Sequence, residues 1–163
     1  MAKNKEEKTN VMRVLEQKKI AYTAHTSPHE EGMAVDGVTV AKSMGFDPAI
    51  VFKTLVARGA SKQYYVFDVP VAENLDLKKA AKAVGEKSIE MIHQKELLPL
   101  TGYVHGGCSP VGMKKIFPTV FHETAENLET MIVSAGKIGY QVELAPRDLA
   151  ALVRAKFADI IVE

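Results

Sequence analysis

Residues 50–70 read Ile50-Val51-Phe52-Lys53-Thr54-Leu55-Val56-Ala57-Arg58-Gly59-Ala60-Ser61-Lys62-Gln63-Tyr64-Tyr65-Val66-Phe67-Asp68-Val69-Pro70. Two β-branched and aromatic runs flank a short polar segment with one glycine, which predicts strands over residues 50–57 and 64–69 joined by a turn at 59–62. Lys53 sits in the middle of the first run, where strand alternation puts it on the face of Val51 and Leu55. An ammonium buried without a partner is costly, so this group must reach solvent, find a counter-charge or line a cavity that takes an anion or a carbonyl oxygen. Two readings follow: an edge-strand lysine that snorkels to water, or a cationic donor to substrate whose pKa is lowered by desolvation.

Working outward, Leu77, Ala80, Ala81 and Val84 share one helical face, Asp76 is placed to cap the start and Gly85 to end it. Upstream, Val11, Met12, Val14 and Leu15 predict a first helix ending near Lys18 and Lys19, followed by an extended piece at 21–25. Residues 26–37, with Pro28, Gly32, Gly37 and the Glu30-Glu31 pair, read as an exposed loop, and 38–44 as a short helix stopped by Gly45. Downstream, short strand-like pieces fall at 89–92, 101–104, 120–121, 131–134 and 140–144. A last helix opens at Pro146, and an apolar piece at 159–162 closes the chain. Many short strands mixed with helices and without βαβ alternation predict an α/β fold: a single domain over 1–163 with a mixed, barrel-like sheet flanked by helices. Neither GxGxxG nor a P-loop pattern occurs, which disfavours a doubly wound nucleotide-binding fold.

The bulk chemistry narrows the function classes. The 163 residues are 47% hydrophobic and 25% charged, within the globular range and outside that of disorder or coiled coil. Lys+Arg 21 against Asp+Glu 20 leaves a formal charge of +1, too little to grip nucleic acid by a global field, so any RNA contact must be local. The lone Cys108 excludes an internal disulfide and a Cys-based zinc site, and with no apolar leader and no long apolar run a cytoplasmic protein without membrane contact is expected.

Chemistry-bearing residues concentrate in two small-residue segments. In Gly106-Gly107-Cys108-Ser109-Pro110-Val111-Gly112 the adjacent glycines let a ligand approach backbone amides, and Pro110 fixes the return path; a functionless turn would use similar residues. Ser134-Ala135-Gly136-Lys137-Ile138-Gly139 reads as a second such loop between strands. Converging near one lysine, the two would build a shallow pocket with amide donors for an oxyanion or an ester. His105 lies only three residues from Cys108 and no orienting Asn or Asp is evident, so a cysteine nucleophile is disfavoured, and the thiol reads as small and partly buried. The five histidines show no HExxH or HxH spacing, so no metal and no cofactor are expected. Lys78, Lys79 and Lys82, with Lys114 and Lys115, are a solvated face or a phosphate-binding rim, for which Tyr103 or Tyr140 would supply a stacking surface.

Taken together, Val51-Phe52-Lys53-Thr54-Leu55, Pro70-Val71, the Leu75 to Gly85 helix, Thr101-Gly102-Tyr103, the Gly106 to Lys115 segment, Pro118-Thr119 and Ser134-Ala135-Gly136-Lys137 resemble the YbaK/EbsC family, over about residues 20–160. Its members are free-standing relatives of the prolyl-tRNA synthetase editing domain. The resemblance implies an aminoacyl-tRNA deacylase acting on Cys-tRNA(Pro), and also on Cys-tRNA(Cys), with aminoacyl-tRNA as partner and a transient complex with prolyl-tRNA synthetase. Ala-tRNA(Pro) as substrate, or a non-catalytic tRNA- or synthetase-binding module, are the alternatives. It also implies that Lys53 is the essential lysine and holds the tRNA 3′ end. Thr54, Gly106, Gly107, Cys108, Ser109, Pro110, Gly112, Ser134, Ala135, Gly136 and Gly139 match its substrate-binding segments. In this family the substrate's own thiol attacks the ester carbonyl, so no protein nucleophile is needed. A binding pocket separates such small amino acids by only ~1–3 kcal/mol per missing group, which is why a second, hydrolytic site raises fidelity. Two departures mark this chain: Ser27 follows His25-Thr26 where the family carries Tyr, and Gln141 ends Gly136-Lys137-Ile138-Gly139-Tyr140-Gln141 where it carries Asp.

Overall fold

The expected hairpin is present as β2 (Phe52–Gly59) and β3 (Tyr64–Pro70), antiparallel, with Lys53 opposite Val69 and Thr54 opposite Asp68. The structure, a computed structural model, describes residues 8–27 and 35–163. Residues 28–34 of the expected loop, including His29 and the Glu30-Glu31 pair, lie outside them.

The hairpin is the centre of a five-stranded sheet. β4 (Ile89–Met91) pairs with β2 only along residues 57–59, while β5 (Thr119–His122) and β8 (Ala155–Ala158) extend the β3 side in parallel, giving the order β4-β2-β3-β5-β8. β1 (Thr23–Thr26), β7 (Tyr140–Leu144) and β6 (Met131–Lys137) form a separate antiparallel sheet in the order β1-β7-β6. The mixed α/β fold is as expected, but the barrel is not closed. The two sheets share no ladder and meet at an isolated parallel bridge between Val51 and Ile132, while within the smaller sheet the β6–β7 register shifts between Ser134 and Lys137.

The helices follow their caps. Asp76 accepts from the Lys78 and Lys79 amides at 3.0 Å to start α3 (Leu77–Val84), and Gly85 at φ 76 ends it in the left-handed conformation that a side chain disfavours. α1 (Asn10–Gln17) starts at Thr9, whose Oγ1 accepts from the Met12 amide, and buries Val11, Met12 and Leu15 in the main core with Phe121, Met131 and Leu149. α2 (Gly37–Ser43) is capped by Asp36, and α5 (Pro146–Val153) opens at Pro146.

Two local expectations need correction. Residues 101–104 are not a strand: α4 (Gln94–Thr101) runs into them and Gly102 ends it, a helix masked in the sequence by Pro99, which normally breaks one. The His93 amide donates to Glu96 Oε2 at 2.9 Å and secures its start. Residues 134–137 belong to β6 rather than to a loop, because Ser134 pairs with Gln141 and Lys137 with Tyr140. The sequence reading also missed β8 at Ala155–Ala158, just ahead of the closing apolar piece, which contributes a bridge from Ile161 to Leu75.

Candidate active site

Where β4 stops pairing, the free edge of β2 opens onto a cavity of about 340 Å³. Its walls are residues 52–55 of β2, Val133 and Ser134 of β6, Gln141 of β7, α2 on one side, and His105, Gly106 and Cys108 of the loop after α4 on the other. The site thus lies at the seam between the two sheets.

Lys53 is half-buried there and forms no hydrogen bond or ion pair among the described residues. Burial holds its ammonium below the usual lysine range, and the more distant charge of Glu73 opposes this only in part. A partly desolvated, unpaired cation facing a cavity is stabilised when a phosphate or carbonyl oxygen docks against it.

Its neighbour Thr54 donates through Oγ1 to Asp68 Oδ1 at 2.6 Å. Asp68 is completely buried, burial pushes its carboxyl up to about 7, and its Oδ2 has no hydrogen-bond partner. Sequence reasoning passed over Asp68, although a carboxylate inside Tyr65-Val66-Phe67-Asp68-Val69 is out of character for a buried strand.

The two small-residue segments do converge. A Cβ at Gly107 would lie 3.0 Å from the Ile138 nitrogen and 3.2 Å from the Lys137 carbonyl carbon, so the chain segments touch backbone to backbone. Lys53, Thr54, Gly106, Cys108 and Ser134 line the cavity. The other candidates lie elsewhere. Ala135 is buried in the main core, and Gly136 is held against Tyr103. The Gly139 carbonyl accepts from the Ser27 amide at 2.8 Å. Ser109 is buried and accepts from the Val111 amide, while Pro110 and Gly112 line a second cavity of about 240 Å³ beside Lys115 and Arg154.

Cys108 is not activated. Burial, reinforced by the nearby charge of Asp68, pushes its thiol up to about 12, against a hydrogen bond with Thr101 that pulls the other way. A thiol that stays protonated is a poor nucleophile. Among the described residues no group of three or more His, Cys, Asp or Glu is placed to hold a metal ion. Among the described residues no helix is long and apolar enough to cross a membrane.

The rim of basic and aromatic residues is smaller than expected. Lys79 is tied to Asp159 at 3.0 Å, Glu163 at 3.2 Å and the Ile161 carbonyl at 2.9 Å. Tyr103 is wedged against Gly136 and donates to the Val111 carbonyl, and the Lys137 ammonium sits 5.3 Å from the centre of the Tyr140 ring. Ser27 and Gln141, the two departures noted in the sequence, meet at the cavity wall. Gln141 Nε2 donates to Ser27 Oγ at 3.3 Å, and the buried Gln141 Oε1 is left without a partner.

Comparison with known proteins agrees with this picture. The chain is 46% identical over 161 residues, covering 98% of both proteins, to an Enterococcus faecalis protein named "Putative Cys-tRNA(Pro)/Cys-tRNA(Cys) deacylase EbsC". A crystal structure described as "a putative trans-editing enzyme for prolyl tRNA synthetase" superposes with TM-score 0.80 at 24% identity, covering 97% of this chain and all (100%) of that one. A second structure, of a hypothetical protein, gives TM-score 0.83 at 19% identity over 94% of this chain and 100% of the other. At these identities the two structures speak for the fold. The model of the aminoacyl-tRNA editing domain matches residues 29–152, and with the whole-length relative it shows that the chain belongs to that family.

Proposed function

We propose that this protein is a trans-editing aminoacyl-tRNA deacylase that removes cysteine from mischarged Cys-tRNA(Pro), and from Cys-tRNA(Cys) by the same chemistry. The observation that carries the reading is the half-buried Lys53 ammonium, unpaired among the described residues, at a cavity whose described lining holds no activated protein nucleophile. The whole-length identity to the enterococcal protein supports the choice of cysteine.

In this reading Lys53 holds the 3′ end of the tRNA through phosphate or ribose, and the aminoacyl ester lies between the Gly106–Cys108 backbone and Ser134. The substrate thiol attacks its own ester carbonyl, a C–S bond forms, the C–O bond to the ribose breaks, and the thiol proton ends on the departing ribose oxygen. Water then opens the resulting thiolactone. Backbone amides near Gly106 and Gly107 are the donors for the oxyanion.

With a formal charge of +1 and Lys79 internally paired, the domain has little surface for choosing among tRNAs. Association with prolyl-tRNA synthetase would supply that choice, and Ile116, 84% exposed beside Lys115, is the most exposed large apolar group among the described residues for such a contact.

The test is single-turnover hydrolysis of Cys-tRNA(Pro), Ala-tRNA(Pro) and Pro-tRNA(Pro) by wild type and Lys53→Ala. Loss of cysteine alone, abolished in the variant, is the expected result. Preferential loss of alanine moves the substrate assignment, and no hydrolysis of any of the three overturns the reading.

A further inference from the structure

The cavity wall contains a polar arrangement that the deacylase chemistry above does not use. Thr54 faces the cavity, and behind it Asp68 is sealed off completely, with one carboxyl oxygen 2.6 Å from the Thr54 hydroxyl and the other unsatisfied. A buried carboxyl with an orphaned oxygen is costly, and valine or isoleucine would fill the strand position without that cost. Pure packing therefore does not account for it.

We infer that Asp68 is a positioning residue: through its bond to Thr54 it sets whether the cavity wall offers the substrate a hydrogen-bond acceptor or a donor. An ionised Asp68 only accepts, so Thr54 must spend its single proton on it and shows the cavity nothing but oxygen lone pairs. A protonated Asp68 donates to Thr54 instead, and the Thr54 hydroxyl proton turns to the cavity. The ionised state suits the donors of an aminoacyl-adenosine end, its α-ammonium and ribose hydroxyl.

Little else nearby complicates the change. β2 contributes Thr54, β5 places Phe121 opposite Asp68, and the loop after α4 contributes Cys108, whose hydrogen bond is with Thr101 of α4 and which stays neutral up to about 12. Lys53 occupies the alternate strand position, and the charge that acts on it is that of Glu73 rather than Asp68. The Asp68 carboxyl, held near 7 by burial, lies behind Thr54, while the imidazole of His105 lines the same cavity from the loop after α4, so the Asp68→Asn comparison isolates the Asp68 part.

This inference rests on the proposed deacylase site, and its test separates the two. The Thr54 methyl signal is followed by NMR against pH in wild type and in Asp68→Asn, without substrate. A titration near neutrality in wild type that is absent from the variant is expected; no titration, or the same one in both, overturns the inference. In parallel, kcat/KM for Cys-tRNA(Pro) is measured from pH ~5.5 to ~8.5 in wild type, Asp68→Asn, Thr54→Val and Thr54→Ser. Substrate titrations are common to all four, so a rise of about tenfold more in wild type and Thr54→Ser than in the other two is expected, the size of one hydrogen bond to substrate. A limb that survives in Thr54→Val would show that Asp68 acts elsewhere and would sink the idea. If wild type hydrolyses no aminoacyl-tRNA, the function falls, while the NMR titration still decides the role of Asp68.

Discussion

Gln141 and Ser27, 114 residues apart in the chain, share a buried hydrogen bond at the wall of the cavity. Two apparently separate departures from the family pattern are therefore one unit, and the acceptor oxygen of Gln141 that the bond leaves unused is itself buried. Replacing Gln141 by Leu is expected to change the ratio of kcat/KM for Cys-tRNA(Pro) over Ala-tRNA(Pro). Ser27→Ala in that background should add little, with non-additivity of about 0.5 kcal/mol or more in a double-mutant cycle. Independent, additive effects on that ratio would show that the pair does not act as a unit.

Lys53→Ala should lower single-turnover deacylation by about 100-fold or more, the usual size for losing one charged donor at an ester-cleaving site. Because Lys53 has no partner to lose among the described residues, the melting temperature should be unchanged or slightly higher. A variant that both melts early and loses activity would point to a structural role instead.

Burial of Asp68 ties stability to pH in a defined direction. Its folded-state value, about 7, lies above the ordinary 3.8, so the folded protein binds the proton more tightly than the unfolded chain. The stabilisation is fully present below about pH 3.8 and is lost as pH rises through about 7, at most about 4 kcal/mol from this one group. Urea unfolding of Asp68→Asn should show a flatter pH dependence from ~5 to ~8 than wild type. Parallel curves would show that the carboxyl is not taken up neutral.

Gly107→Ala should cost about 1–3 kcal/mol, since the added methyl would press on the backbone of the β6–β7 turn at 3.0 Å and neither side is a flexible side chain. Chemical denaturation reads the loss, and wild-type stability would show that the two segments separate easily.

The Cys108 thiol, protonated up to about 12, should resist iodoacetamide in the folded protein and react quickly once urea is added. Wild type treated natively should keep its deacylase activity. Rapid native labelling with loss of turnover would restore the protein thiol as a candidate nucleophile.

The hairpin, α3 and the position of Lys53 were legible because local signals agreed: alternation in β2 and β3, the Asp76 cap and the Gly85 stop. The approach of the glycine segment to β6 was legible in outline, since only small residues tolerate such contacts, as Gly107 shows. α4 was hidden by Pro99, and β8 by a four-residue run, Ala155-Lys156-Phe157-Ala158, that gains its strand character only from parallel pairing with β5. The distribution of site candidates was not legible either. Whether Ser134 or Ala135 faces the cavity depends on strand register, and Pro110 and Gly112 lie past the turn that Ser109 closes. Asp68 carried a sequence signal, a carboxylate within an apolar strand, but its place at the site depends on its cross-strand pairing with Thr54.

The Val51–Ile132 bridge is the hydrogen-bonded point at which the two sheets meet beside the site. Two of the cavity's walls belong to different sheets, each with its own hydrogen-bond ladder, so residues packed between the sheets set the gap while the ladders hold Lys53, Thr54 and Ser134. For an enzyme that must tell apart amino acids differing by about one methylene group, selectivity can then be retuned by substitutions far from the reacting atoms, while the chemistry stays fixed.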